Sequence, residues 1–186
     1  MFDNIQQLVI RAQNSDIDSF RQLVEKHQQF AYNVAFRFLT NQEDARDVVQ
    51  ECFIRLWKNL HKVDPHKKLT TWLYKIVLNL CYDEMRRAYN RYKCDPAEKE
   101  ASFENLKSSD NMEKKYGNEE LAAKIRCLSE HLKPRQRAVF ILRDLEDLDL
   151  DEISEILKIS VSAVKSNLFY ARQNIRKKCL ELGYIS

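Results

Sequence analysis

Apolar residues recur at helical spacing along most of this chain. Phe20, Leu23, Phe30, Ala31, Val34 and Phe38 form one stripe. It predicts a helix that begins near Ser15-Asp16, either of which can cap it, and runs to about Leu39. His27 falls beside the stripe, and with no second His or Cys one turn away it is expected to pack rather than to ligate. Thr40-Asn41 breaks the pattern. Ala45, Val48, Val49, Cys52, Phe53, Leu56 and Leu60 predict a second helix from about Gln42 to His61. Trp72, Leu73, Ile76, Val77, Leu80 and Met85 predict a third from about Thr70 to Tyr89, after the break at Asp64-Pro65.

From Cys94 to Asn118 apolar residues thin out, and Pro96, Ser102, Ser108, Ser109, Asn111 and Gly117 accumulate, which reads as a flexible linker. Periodicity restarts at Glu119 through Leu121, Ile125 and Leu128. Lys133-Pro134 opens a further helix with Pro at its first position, carrying Val139, Phe140 and Leu142. Two more helical patterns close the chain. The first runs from Asp149 to Leu157, with Asp149 as cap and Glu152 three residues on, a variant of the capping box. The second starts at Val161 with the stripe Val164, Leu168, Ala171 and Ile175, and Gly183 is placed to end it. The expected fold is all-α: a helical domain over residues 1–93, a linker over 94–118 and a second small helical domain over 119–186.

Composition supports this. The 186 residues hold only two glycines and three prolines, too few breakers for anything but a nearly all-helical chain and too few glycines for a phosphate loop. The net charge of +3 is mild, so charge must be read locally. None of the five cysteines forms a Cys-x-x-Cys pair, and they read as reduced thiols without metal or disulfide roles. No metal or other cofactor is expected. Neither a signal peptide nor a membrane-spanning run is evident, which suits a cytoplasmic protein.

Charge is segregated where the chain ends. Asp149, Asp151, Glu152 and Glu155 lie on the first of the two closing helices, whereas no acidic residue occurs between Lys158 and Lys178. Two amphipathic helices joined by the turn Leu157 to Ser160 occur in many helical proteins; the segregation singles these out as a helix-turn-helix. The second helix has an apolar back, cations for phosphates and hydrogen-bonding side chains for base edges. Its candidate DNA contacts are Ser160, Ser162, Lys165, Ser166, Phe169, Tyr170, Arg172 and Arg176. The first is too acidic to bind phosphate. The third predicted helix is basic at both ends, with Trp72, Tyr74, Tyr82 and Tyr89 interleaved, a mixture that suits single-stranded nucleic acid.

These motifs, in this order, resemble a family. The run from Asp44 to Trp57 resembles conserved region two of bacterial sigma factors, and Trp72 to Asn79 with Asp83, Arg86 and Arg87 continues it. Leu132 to Phe140 and Asp149 to Arg176 resemble region four. The short length is similar to the extracytoplasmic-function (ECF) class. The resemblance covers the chain from about Asp16 to Lys178. It implies a transcription initiation factor, not an enzyme, that directs core RNA polymerase to promoters. Asp44, Asp47, Gln50, Glu51, Ile54, Arg55 and Trp57 would dock on the clamp helices of the largest subunit. Lys67, Lys68, Trp72, Lys75, Asn79, Asp83, Arg86 and Arg87 would melt and read the minus-ten element. The last helix would read the minus-thirty-five element, with the flap of the second-largest subunit and an anti-sigma factor as further partners.

Two residues depart from the family pattern: Asp147 and Lys158 stand where glycine is usual, and a left-handed Lys158 costs on the order of 1 kcal/mol. The competing reading is a conventional helix-turn-helix regulator that binds DNA without polymerase, usually as a dimer. The chain shows no heptad seam for dimerisation.

Overall fold

The computed structural model describes residues 3–94, 128–129 and 131–184. Among them are seven α-helices and no strand: α1 (Asp3–Gln13), α2 (Ile17–Leu39), α3 (Gln42–Lys58), α4 (Leu69–Cys94), α5 (Pro134–Phe140), α6 (Leu150–Leu157) and α7 (Val161–Glu181). The linker expected over Cys94–Asn118 lies outside the described residues, except that Cys94 is the last residue of α4.

Helix starts follow the capping chemistry of the sequence. Asp16 accepts from the N–H groups of Asp18 and Ser19, and Asn41 from those of Glu43 and Asp44, satisfying donors the first turn leaves over. The Ser19 hydroxyl also donates to Asp16, and these bonds hold the Asp16 carboxyl below its ordinary range. Asp149 accepts from Glu152 N–H at 2.7 Å, as the capping-box pattern predicts. Pro134 opens α5.

Three sequence expectations need correction. The sequence starts its first predicted helix near Ser15-Asp16, yet α1 forms before it and buries Leu8, Val9 and Ala12. Its stripe, Ile5, Leu8, Val9 and Ala12, has the spacing of one helical face. The second helix stops at Lys58 rather than His61; Leu60–Lys62 is a 3-10 turn. It is held from α1, where the Gln13 side-chain amide donates to Leu60 O at 2.9 Å and Val63 O at 2.7 Å. The third helix runs on to Cys94 instead of ending at Tyr89.

Helices α1 to α4 bury Leu23, Ala31, Phe38, Leu56, Leu73 and Val77 between them. His27 packs there as expected, its Nδ1–H donating to Leu23 O at 2.8 Å. Cys52 and Cys81 are buried free thiols, and burial pushes the Cys52 thiol up to about 12. The later helices continue the same apolar core through Val139, Ile141, Leu142, Ile153 and Val164. After Phe140 the α5 helix widens into a π turn, Ile141–Leu145, closed by Glu146 N–H donating to Ile141 O.

Asp147 and Lys158 both adopt positive φ, 54° and 53°. The departures from glycine thus leave the left-handed turns in place. Ile159 N–H reaches back to Ser154 O at 3.2 Å, and the Ser154 hydroxyl donates to Ile159 O at 2.6 Å, which closes the turn between α6 and α7.

Leu73 is fully buried among α2, α3 and α4. Leu73→Ala is expected to lower unfolding stability by about 2–5 kcal/mol. Asn41→Ala, which only removes a cap, is expected to cost about 1 kcal/mol. Lys158→Gly relieves a left-handed side chain but loosens the unfolded chain, for a net gain of up to about 1 kcal/mol. Urea denaturation of the three variants checks both the signs and the order.

Candidate nucleic-acid interface

Helix α7 turns its apolar stripe inward: Val164, Leu168 and Ala171 are buried, while Val161 and Ile175 are half-buried. Its other faces carry the predicted DNA contacts. Ser162, Lys165, Ser166, Phe169, Tyr170, Arg172 and Arg176 are all exposed. Phe169 and Tyr170 keep 59% and 54% of their surface in solvent. They contact each other edge to face, with centroids 5.6 Å apart.

The side chains are not equally available. Ser160 is the N-cap of α7 and its hydroxyl accepts from Ala163 N–H at 3.2 Å. The Ser166 hydroxyl donates back to Ser162 O at 3.0 Å. Arg172 makes a two-pronged pair with Asp144, at 2.6 and 3.0 Å, which raises the guanidinium above its ordinary value. Lys165 and Arg176 have no carboxylate partner among the described residues. Among the described residues, Lys165 near the start of the helix, Arg176 three turns on and Lys177 beside it are therefore the cations of α7 left without an ion pair.

The minus-ten candidates divide into two groups. Trp72, Lys75 and Asn79 line one cleft of about 950 Å³ together with Lys133, Pro134, Arg135, Ile156, Leu157 and Lys158. Lys67 and Lys68 are exposed just before α4. Asp83 and Arg87 lie elsewhere. They share a shallow cleft with Asp44, Asp47, Glu51 and Arg55 of α3. Arg86 pairs with Asp83 at 2.9 Å and Arg87 with Glu84 at 3.3 Å. Their i,i+3 spacing makes these pairs local to α4, and nothing brings Asp83 and Arg87 to the Lys75 cleft.

The polymerase candidates form one continuous outer face of α3 with two different edges. Gln50, Ile54 and Trp57 border an open groove of about 820 Å³ between α2 and α3, lined also by Ile17, Phe20, Val24 and Tyr32. Ile17, Ile54 and Trp57 are 65%, 39% and 41% exposed. Phe20 packs on Trp57 with centroids 4.7 Å apart and so fixes the ring at the groove wall. On the other edge lie Asp44, Asp47, Glu51 and Arg55. Arg55 donates to Glu51 at 2.8 Å, which holds the Glu51 carboxyl below its ordinary range.

The sequence reading missed a third set of residues, which joins the two groups of helices. Glu146 accepts from the Tyr74 hydroxyl at 3.0 Å and from Arg37, and Arg37 also donates to Leu145 O at 3.2 Å. The Glu146 side chain is only 13% exposed. Burial, and then the Glu146 charge, push the Tyr74 phenol well above its ordinary value, so it stays protonated and donates. Nearby, the Tyr82 hydroxyl donates to Pro134 O at 3.4 Å, and the Arg137 guanidinium lies 5.5 Å over the Phe38 ring.

Two of the predicted minus-ten cations are paired across the same junction. Lys68 Nζ lies 2.6 Å from Glu152 and Lys75 Nζ 2.9 Å from Glu155. Lys75 lowers the Glu155 carboxyl, so that pair is complete above the ordinary glutamate range and is lost as pH falls through the lowered value. Glu152 raises the Lys68 ammonium, so that pair is complete below the ordinary lysine value and is lost as pH rises through the raised one. The acids of α6 are plain in the sequence, but nothing in the sequence pairs them with lysines some 80 positions away.

Among the described residues no three His, Cys, Asp or Glu side chains converge on a metal-sized site, and no helix is long and apolar enough to cross a membrane.

Comparison with known proteins agrees with this layout. Residues 23–91 match the family described as Sigma-70 region 2, and residues 122–175 that described as Sigma-70, region 4. The chain is 30% identical over 185 residues to the ECF RNA polymerase sigma factor SigW of Bacillus subtilis, covering 96% of this chain and 98% of that protein. It is 32% identical over 179 residues to the ECF RNA polymerase sigma-E factor of Escherichia coli K12, covering 93% of each. Its fold is similar to that of CnrH, solved in complex with the cytosolic domain of CnrY: the TM-score is 0.69 at 22% identity, over 98% of this chain and 99% of that one. It is also similar to the sigma factor RpoE of Bartonella quintana, solved with the anti-sigma factor NepR: the TM-score is 0.65 at 19% identity, over 85% and 94% of the two chains. With both conserved regions matched in order, and relatives of this identity aligned over nearly their whole length, the chain belongs to the ECF RNA polymerase sigma factors.

Proposed function

We infer that this transcription initiation factor divides its work between its two helical groups. Residues 1–93 dock on core RNA polymerase and open the minus-ten element, and residues 119–186 read the minus-thirty-five element. The observation that carries the reading is the exposed, acid-free face of α7 with Phe169 and Tyr170 in solvent, on the same chain as the two-edged outer face of α3. The decisive experiment is sequencing of the RNA ends made by core polymerase with and without this protein. New starts that share two upstream elements support it; an unchanged set of starts overturns it.

The docking surface on the largest-subunit clamp helices is the outer face of α3. Ile54 and Trp57 supply apolar contact, Gln50 a neutral amide, and Asp44, Asp47, Glu51 and Arg55 charge, the combination of anchor and polar rim that protein interfaces use. The second helical group meets the flap of the second-largest subunit. The protein works in the cytoplasm and performs no catalysis of its own. An anti-sigma protein is its natural antagonist; the RpoE and CnrH structures, solved with partner proteins, support that assignment by analogy of fold.

At the minus-ten element Lys67, Lys68 and Lys75 hold phosphates, Trp72 offers a stacking surface and the Asn79 amide reads the edge of an unstacked base. Asp83 and Arg87, which sit with the α3 acids, belong on this reading with the docking surface instead.

Three outcomes are expected. Charge reversal at Asp47 together with Glu51 should lower core affinity about tenfold or more, since rim and buried charges both tune association, with an unchanged melting curve; unchanged affinity would sink the α3 docking face. Asn79→Ala should reduce permanganate-reactive open complex more than closed-complex binding, and equal loss in both would refute base reading. Lys165→Ala should relax preference at one minus-thirty-five position by about 1–3 kcal/mol, whereas Arg176→Ala should weaken all sequences alike and reduce the salt slope by about one unit. Affinities of holoenzyme for single-base variants across salt decide whether Lys165 reads a base or holds the backbone.

A further inference from the structure

The cleft of about 950 Å³ between α4 and the second helical group has the size and the place of a small-molecule site, at a junction of two packed units. Trp72, Ile76, Asn79 and Tyr82 belong to one wall. Trp72 and Tyr82 stand about three turns, or roughly 15 Å, apart along α4. Pro134, Ile156 and Leu157 give the opposite wall its apolar part. Two contacts fix one wall against the other: the Tyr82 hydroxyl donates to Pro134 O at 3.4 Å, and Lys75 pairs with Glu155 at 2.9 Å.

The lining carries charge of one sign. Lys75, Lys133, Arg135 and Lys158 all reach it, and none of the described residues that line it is acidic. Glu155 answers Lys75, but Lys133, Arg135 and Lys158 have no carboxylate partner among the described residues. Like charges around an apolar floor repel one another, and an anion seated between them relieves that repulsion. Lys158 adds an independent observation. It holds a left-handed turn at φ 53°, where a lysine is strained and a glycine would not be. Residues kept in such conformations cluster at ligand clamps.

The remaining groups suit a base. Trp72 is half-buried, so part of its ring is open to the cleft for stacking. The Asn79 side chain is exposed, and an amide both donates and accepts, as the N6 and N7 edge of adenine requires. Lysine and arginine are common partners of phosphate oxygens. We propose that this cleft binds a free adenine nucleotide bearing two or more phosphates, its base against Trp72 and Asn79 and its phosphates on the cations of the opposite wall. The site shares Trp72, Lys75 and Asn79 with the minus-ten assignment and rests on the same base-reading wall. What it adds is the second wall, built from Lys133, Arg135 and Lys158, which that assignment does not use. A ligand that touches both walls stabilises their packing in proportion to its occupancy.

The test uses the full chain with Trp57→Phe, which leaves Trp72 as the one tryptophan of the two in the sequence. The probe is ATP in buffer with EDTA, followed by quenching of Trp72 fluorescence. Saturable quenching is expected, with adenosine and inorganic triphosphate each binding about tenfold or more weakly than ATP, and ATP should raise the melting temperature. Lys133→Gln with Arg135→Gln should weaken ATP about tenfold, the scale of one charge-assisted hydrogen bond. Lys158→Gly should also weaken it while leaving the free protein no less stable, so that lost binding cannot be lost fold. Lys165→Ala on α7 should change nothing. Absence of saturable quenching overturns the proposal. So does inorganic triphosphate that binds as tightly as ATP, since the cleft would then hold any polyanion, and so does an equal loss with Lys165→Ala. If the second-wall variants bind ATP as the parent does, the nucleotide rests on α4 alone and the two-walled site is overturned while the minus-ten assignment stands. That assignment is tested separately by the open-complex yield of Asn79→Ala in holoenzyme, so either can fail without the other.

Discussion

The placement of Glu146 constrains most of what the two helical groups do together. A carboxylate at 13% exposure is costly unless charge and hydrogen bonds meet it. Arg37 comes from α2 and Tyr74 from α4, so one side chain ties two helices of the first group to the end of the π turn in the second. Tyr74 contributes because burial keeps its phenol protonated, and its ring packs edge to face on Phe30 at 4.8 Å, which leaves the hydroxyl little freedom. Removing either donor would leave a buried charge under-satisfied rather than simply lose a contact. With Glu146 fixed, α6 starts four residues later over the α4 surface, and its acids arrive at Lys68 and Lys75.

The first group meets a second demand on α3, the helix proposed to dock on polymerase. A docking helix has to be apolar enough to bind and polar enough to remain soluble alone. Here the two demands are spread around the helix: a groove with Phe20, Ile54 and Trp57 on one side, and Asp44, Asp47, Glu51 and Arg55 on the other. The neighbouring helices shape both edges. Phe20 of α2 supports the Trp57 ring, and Asp83 and Arg87 of α4 complete the charged side. The surface is thus a product of three helices, although α3 supplies most of its residues.

Helix α7 shows how availability differs from exposure. Arg172 is as exposed as its neighbours, but Asp144 from the π turn grips it through two hydrogen bonds. An arginine held this way has a fixed direction and has lost most of its rotamer freedom before any DNA arrives. Lys165 and Arg176 remain free to search. The helix proposed to read the minus-thirty-five element therefore combines a preset Arg172 with unpaired Lys165, Arg176 and Lys177.

The sequence by itself determined the helices and their caps, because these rest on residues three or four apart. Asp16 and Asp149 marked helix starts that the structure keeps, and the stripe Val164, Leu168 and Ala171 named the buried side of α7. Local pattern also revealed the charge segregation between α6 and α7, and motif order pointed to the family. It did not reveal α1, although Ile5, Leu8, Val9 and Ala12 have helical spacing. It grouped Asp83 and Arg87 with Lys75 because they share a helix, but packing against α3 decides which face each one presents. Tertiary structure alone decided that Glu146 would meet Arg37 and Tyr74, and that Glu152 and Glu155 would meet Lys68 and Lys75. Those partners are some 70 to 110 positions apart, where no periodicity links them. Only the packing of one helical group on the other turns separate acidic and basic segments into pairs.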